Sequence, residues 1–227
     1  MSEMTPGQTP RVSAVAFDMD GLMFNTEDLY DEVGDILLQR RGYRFKRDLK
    51  LKMMGLPGPV AFEVMRQWHS LPDSVEQLQR ECHEIFSGLL PGRIETMPGL
   101  MELLGLVESL GLPKCVATSS HRQFAQQALG TFSLETRFEF VLTADDVERG
   151  KPHPDIYLEA ANRLNVLPTE MLVLEDSFTG SSAAVAAGAL TIAVPTEHSE
   201  GMDFSHVDHV AESLHDPLIR DVLGGSA

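Results

Sequence analysis

The sequence predicts an α/β fold: a doubly wound, Rossmann-like parallel sheet with a small all-helical unit inserted after its first strand. Three observations predict it. Five short apolar runs lack the period-two alternation of a half-exposed strand and suit a parallel sheet covered on both faces. Helical patterns fall between these runs, so that strand and helix alternate. One stretch, from Asn25 to about Leu90, carries helical patterns and no strand.

The apolar runs cover residues 12–17, 114–118, 138–142, 171–174 and 190–194. Between the third and fourth, Tyr157, Ala160, Ala161 and Leu164 recur at helical spacing on one face. After the fourth, Ala183, Ala184 and Ala187 make a small-residue face able to lie close on a sheet, with Gly188 as its C-terminal cap. Within the insert, Leu29, Val33, Ile36 and Leu37 form the first helical face. Asn25 or Thr26 starts that helix, and Arg40, Arg41 and Gly42 end it. Val60, Val64 and Trp68 mark a second helix. Val75, Leu78, Cys82, Ile85, Phe86 and Leu89 mark a third, with Ser74 and Gln77 at capping-box spacing. Residues 91–98 read as a linker. The expected division is a discontinuous core, residues 1–24 and 93–227, and a helical cap, residues 25–92, placed over the carboxyl ends of the strands where open α/β sheets bind ligands.

Composition narrows the function classes. A formal net charge of −16 over 227 residues repels nucleic acid and anionic lipid, so neither is an expected partner. Two cysteines, Cys82 and Cys115, make no disulfide framework and read as core packing. No apolar run reaches membrane-spanning length, and the start "MSEMTPGQTP" has neither the basic nor the apolar part of a signal peptide. The expectation is a cytoplasmic protein, a monomer by default, with flexible tails over the first ten residues and the final "GGSA".

Each strand ends in polar chemistry. The first closes in Asp18-Met19-Asp20-Gly21, the second in Thr118-Ser119-Ser120, and the fourth in Glu175-Asp176-Ser177; Gly150-Lys151-Pro152 follows the third. Taken singly, each has a bland explanation as a turn, a helix cap or a solvated lysine. Together, in this order, they converge on one rim. Competing motifs fail on spacing. A calcium loop has Leu22 where an oxygen ligand belongs. A P-loop has Asp145 and Pro152 where it needs glycine and Ser or Thr. For a serine hydrolase, no acid in the sequence is marked as orienting His121 near Ser119.

Carboxylates crowded at one point repel each other, and an all-oxygen donor set favours a hard divalent ion such as Mg²⁺. A carboxylate is also a nucleophile. If Asp18 attacks a phosphate, each unit of like charge at ~4 Å opposes the encounter by about 4 kcal/mol at an effective dielectric near 20. Mg²⁺ and Lys151 supply the compensating charge. The Thr118 hydroxyl and the Ser119 amide can donate to phosphoryl oxygens. Asp20, two residues on in extended backbone, falls on the same side as Asp18 and can protonate the leaving group and then activate water. Gly21 lets the chain turn immediately afterwards.

"DMDGLMFNTE", "VATSS", "GKPHPD" and "VLEDS" resemble, in order and spacing, the four motifs of the haloacid dehalogenase superfamily, and more narrowly its β-phosphoglucomutase-like branch. The resemblance implies a sheet ordered 3-2-1-4-5, an aspartyl-phosphate on Asp18, and Asp20 as general acid and base. It implies phosphate contacts from Thr118 and Lys151. It implies Mg²⁺ held by the Asp18 carboxylate, the Asp20 main-chain oxygen and Asp176, with Glu175 as a ligand directly or through water.

The departures concern the substrate. Asn25 stands where the family often has an acid, leaving a capping role without charge. The loop Met54-Gly55-Leu56-Pro57-Gly58 has no cation to hold a second phosphate, and Tyr30 stands where the mutases carry a histidine. Tyr30, Gly55 and Leu56 are therefore the candidate specificity residues. The leading expectation is a Mg²⁺-dependent phosphatase for a small phosphorylated metabolite, such as a sugar phosphate. The alternatives are a sugar phosphomutase on the same core and a receiver-like phospho-accepting module. The insert and the Asp-x-Asp spacing oppose the last. Hinges are expected near residues 23–26 and 91–97.

Overall fold

The computed structural model describes residues 12–53, 56, 58–90, 92–199 and 201–224. The N-terminal tail, the last three residues, and Met54, Gly55 and Pro57 of the candidate specificity loop lie outside the described residues. In chain order the elements are β1 (Ala14–Phe17), α1 (Thr26–Gln39), α2 (Arg47–Met53), α3 (Gly58–His69), α4 (Val75–Leu89), α5 (Leu100–Ser109), β2 (Lys114–Ala117) and α6 (Arg122–Thr131). They continue with β3 (Val141–Leu142), α7 (Asp155–Leu164), β4 (Met171–Glu175), α8 (Phe178–Ala187), β5 (Leu190–Ala193), β6 (His209–Val210) and α9 (Pro217–Val222). The chain divides into two compact units: one holds the chain up to Met23 and from Thr96 onward, the other is Phe24–Glu95. No helix among the described residues is long and apolar enough to cross a membrane.

The first unit is a parallel sheet ordered β3-β2-β1-β4-β5-β6. The order expected for the first five strands is the one found. The sixth, β6, pairs Val210 with Ala193 at the sheet's edge; two residues are too few to show a periodicity. The third strand is shorter than its apolar run. Glu139 N–H still reaches the Lys114 carbonyl, but Phe138 turns its ring edge-on to Phe17 at 5.9 Å, and only Val141–Leu142 forms ladder pairs. Ala14, Ala16, Cys115, Ala117, Leu142, Met171 and Val173 share one core layer with Tyr157, Ala160 and Ala161 of α7 and Ala183, Ala184 and Ala187 of α8. The alternate residues Val15, Phe17, Val116, Leu172 and Leu174 point to the opposite face and are fully buried. This double burial explains why the strands read as continuous apolar runs. Cys115 lies in that core, and burial pushes its thiol well up; Cys82, in the other unit, is pushed up to about 12 by burial, then by Glu81.

The second unit holds α1 to α4. It has one helix more than the sequence suggested, because α2 (RDLKLKM) buries only Leu49 and shows little pattern. The helix marked by Val60, Val64 and Trp68 is α3; its buried residues are Ala61 and Met65, while Val60 and Trp68 are exposed. Lys52 lies over the exposed Trp68 ring at 5.0 Å. The Ser74–Gln77 capping box is present. Asn25 occupies the N-cap position of α1, yet its side chain does not cap. Its Oδ1 instead accepts from the Glu95 N–H at 2.8 Å, tying together the two chain segments where they enter and leave this unit. In the core unit the Met97 N–H donates to the Met23 carbonyl at 2.8 Å.

Candidate active site

The parallel ladder sets the site's rim. Asp18 follows β1, and its N–H donates to the Leu174 carbonyl at 3.0 Å; Thr118 follows β2, held in the same way by Leu142 at 3.0 Å. Glu175 is the last residue of β4, and Asp176 follows it. Adjacent strands thus end level and present their first polar side chains together. Asp18, Thr118, Glu175 and Asp176 are all buried.

Lys151, from the loop before α7, organises them. Its ammonium donates to Asp18 Oδ1 at 2.6 Å, Glu175 Oε1 at 2.6 Å and the Ala117 carbonyl at 2.9 Å. Those are its three protons. The side chain is 4% exposed, and its ammonium lies 5.0 Å from the centre of the Tyr157 ring. Desolvation opposes the charged lysine, but Asp18 and Glu175 outweigh it and hold the group well above its usual value. Desolvation raises the Asp18 carboxyl well above its ordinary value. Glu175 adds to the rise, Lys151 opposes it, and Asp20 contributes further repulsion.

Asp20 accepts from the Thr118 hydroxyl at 2.9 Å and the Ser120 hydroxyl at 2.8 Å, both on Oδ2. The Thr118 oxygen in turn accepts the Ser120 N–H at 3.0 Å. Thr118 was expected to donate to phosphate; in this state its single proton is directed at Asp20. Ser119 sits exposed in the same loop.

Glu175 is held on both oxygens. Tyr157 Oη donates to Oε1 at 2.7 Å, and the Ser177 hydroxyl donates to Oε2 at 3.0 Å. Ser177 also caps α8 by accepting the Gly180 N–H at 3.0 Å. Two glycines make room. A Cβ on Gly180 would overlap the Glu175 carboxylate, and one on Gly21, whose φ is +81°, would overlap that of Asp176. The main-chain oxygen of Asp176 accepts from the buried Ser199 hydroxyl at 2.6 Å.

Asp18, Glu175 and Asp176 each offer a carboxylate oxygen within 4.8 Å of the others. Three buried carboxylates against one ammonium make an all-oxygen, anionic donor set, which fits a hard divalent cation. The side-chain-free Gly21 beside Asp176 keeps that space open.

Of the candidate residues, the structure thus brings together Asp18, Asp20, Thr118, Lys151, Glu175 and Asp176, with Ser119 on the adjoining loop. Tyr30 belongs to the second unit, where its ring packs against Phe86 at 4.6 Å; Leu56 is exposed, and Gly55 lies outside the described residues. Sequence reasoning placed Ser120 and Ser177 at the rim without a role, and missed Tyr157 and Gly180. It also missed the acid that orients His121: Asp145 Oδ1 lies 2.8 Å from His121 Nδ1. Among the described residues, however, neither Ser119 nor Ser120 bonds that ring, and the Ser120 hydroxyl is directed at Asp20.

Comparison with known proteins agrees with this geometry. The family model for haloacid dehalogenase-like hydrolases matches residues 15–194. The chain is 34% identical to a phosphorylated carbohydrates phosphatase of Thermotoga maritima over 78% of its own length and 82% of the relative's. It is 34% identical to (DL)-glycerol-3-phosphatase 2 of Arabidopsis thaliana over 92% of its own length and 88% of the relative's. Its fold matches the crystal structure of β-phosphoglucomutase from Clostridium difficile with a TM-score of 0.78, at 19% identity, covering 94% of this chain and 97% of that one. The span of the family match and the identity to named phosphatases lead to one assignment: the chain belongs to the haloacid dehalogenase-like hydrolases.

Proposed function

We propose that this protein is a Mg²⁺-dependent phosphatase that hydrolyses small phosphorylated metabolites, with phosphorylated carbohydrates or polyols as the leading class, through a phosphoryl group carried on Asp18. The observation that carries this reading is the bridge from the Lys151 ammonium to both Asp18 and Glu175. It leaves a buried aspartate facing a fixed positive charge at the end of the central strand.

In this reading the metal is held by Asp18, Asp176 and the main-chain oxygen of Asp20. Glu175, whose oxygens are taken up by Lys151, Tyr157 and Ser177, anchors the lysine. When bound, Mg²⁺ supplies positive charge against the substrate phosphate and the crowded carboxylates.

Lys151 holds Asp18 Oδ1, so attack on phosphorus falls to Oδ2. The new Oδ2–P bond forms as the bond from phosphorus to the leaving oxygen breaks. Asp20 donates its proton to that oxygen. Thr118 and Ser120 bond Asp20 Oδ2 in the resting state and hold the acid near the strand end. As Asp20 turns to the leaving group, the Thr118 hydroxyl is released to donate to the phosphoryl oxygens, as does the Ser119 amide. In the second half, Asp20 takes a proton from water. The water oxygen bonds phosphorus, the Oδ2–P bond breaks, and Asp18 is regenerated with release of inorganic phosphate. The sequence carries no Lys, Arg or His from Met54 to Gly58, so that stretch offers no cationic side chain to the second phosphate of a bisphosphate intermediate. This weighs against the phosphomutase reading.

The test is phosphate release from a panel of phosphorylated sugars, polyols and nucleosides, with Mg²⁺ or with EDTA, and with or without a sugar bisphosphate. The reading expects metal-dependent release that needs no bisphosphate. Bisphosphate-dependent isomerisation without net phosphate release would overturn it in favour of the mutase.

A further inference from the structure

Glu175 Oε1 receives two donors, the Lys151 ammonium at 2.6 Å and the Tyr157 hydroxyl at 2.7 Å. Tyr157 is fully buried on α7, with its ring among the small side chains of the core layer that joins β1, β2, β4 and α8. Packing alone asks only for an aromatic ring at that position. A hydroxyl placed there would be costly without a partner, and Glu175 is the partner it has. The same ring presents itself to the Lys151 ammonium at 5.0 Å, a cation–π distance. Tyr157 therefore touches both members of the ion pair and stands behind them, away from the polar rim.

We propose that Tyr157 is a positioning residue: its hydroxyl locks the Glu175 carboxylate, and its ring steadies the ammonium, so that Lys151 is held on Asp18 and on the phosphate that Asp18 receives. Without the hydroxyl, Glu175 Oε1 keeps only the lysine. The carboxylate is then free to turn about its bond to Ser177, and the ammonium follows it. Ser177 completes the lock on Oε2, and Gly180 gives the carboxylate its space. The proposal rests on the phosphatase reading for its kinetic part only.

The experiment uses the full-length protein and the variant Tyr157→Phe, which keeps the ring and removes the hydroxyl. Ile156→Val, a neighbouring core residue that is 1% exposed, serves as the packing control. The first readout is the NMR signal of the Lys151 side-chain ammonium in ¹⁵N-labelled protein, assigned by its loss in Lys151→Met. The second is turnover of p-nitrophenyl phosphate, inhibition by inorganic phosphate, and Mg²⁺ affinity by calorimetry. Tyr157→Phe is expected to speed ammonium proton exchange about tenfold and to lower kcat/KM about tenfold, with weaker phosphate inhibition and Mg²⁺ affinity within about twofold of wild type. Ile156→Val is expected to change stability without these changes. If the wild-type protein hydrolyses no phosphomonoester, the phosphatase reading fails and the ammonium signal still decides the role of Tyr157. An ammonium signal and kinetics like wild type overturn the proposal. So do losses that match the packing control, or a Mg²⁺ affinity that falls by the same factor as turnover.

Discussion

Lys151 Nζ lies 2.6 Å from Asp18 Oδ1, an ion pair whose side chains are 4% and 8% exposed. Partners buried this deeply depend on each other, because neither retains water to fall back on. Lys151→Met therefore leaves Asp18 and Glu175 without their cation. We expect a loss of about 3–5 kcal/mol in folding stability, read as a lower urea midpoint, together with loss of phosphatase activity. A stable, active Lys151→Met protein would remove the lysine from the site's electrostatics.

Gly21→Ala tests the space beside Asp176. The new Cβ meets the carboxylate, and the φ of +81° is unfavourable for alanine. Weaker Mg²⁺ binding by calorimetry is expected, with activity restored in part at high Mg²⁺. Gly180→Ala crowds Glu175 instead. It should lower turnover more than Mg²⁺ affinity, since Glu175 serves the lysine in this account.

In the helical unit, Arg41 forks to Asp73 at 2.7 Å and Glu81 at 2.6 Å, and its bonds hold both acids below their ordinary values. A depressed folded-state pKa gives stability that is present above the unfolded pKa, near 4, and is lost as pH falls through the folded value. Arg41→Gln should thus destabilise this unit by about 1–2 kcal/mol at neutral pH. The difference from wild type should shrink below about pH 4. Urea titrations of both proteins at neutral and acidic pH measure it; a gap independent of pH would contradict the assignment.

Ser74→Ala removes the α4 capping box, in which the Ser74 hydroxyl accepts the Gln77 N–H at 3.2 Å and the Gln77 side chain accepts the Ser74 N–H at 2.8 Å. The expected cost is about 1 kcal/mol, visible as faster amide exchange in the first turn of α4. Activity of the core should change little.

What the sequence made legible follows from where each signal lives. Asp18, Thr118 and Glu175 announce themselves because each ends an apolar run, and a parallel sheet has to bring such ends to one edge. Ser74 and Gln77 are legible because a cap is a local bond. Tyr157 was hidden. It falls on the apolar face of α7, where a tyrosine reads as packing, and its acceptor lies eighteen residues away on β4. Asp145 was hidden as an orienting acid for the same reason, twenty-four residues from His121. Val60, Val64 and Trp68 mark the extent of α3 but not its buried side, which Ala61 and Met65 supply. Helix α2 and strand β6 were too short to carry any period.

The central claim is that Asp18 takes the phosphoryl group. The most direct measurement is rapid acid quenching of the protein during turnover of a phosphorylated sugar that it hydrolyses, followed by mass spectrometry of the peptide containing Asp18. The account predicts a phosphoryl adduct on Asp18 that accumulates before the quench and is lost under alkaline hydroxylamine, with neither adduct nor turnover in Asp18→Asn. Turnover with no adduct, an adduct on another residue, or an Asp18→Asn protein as active as wild type would contradict it.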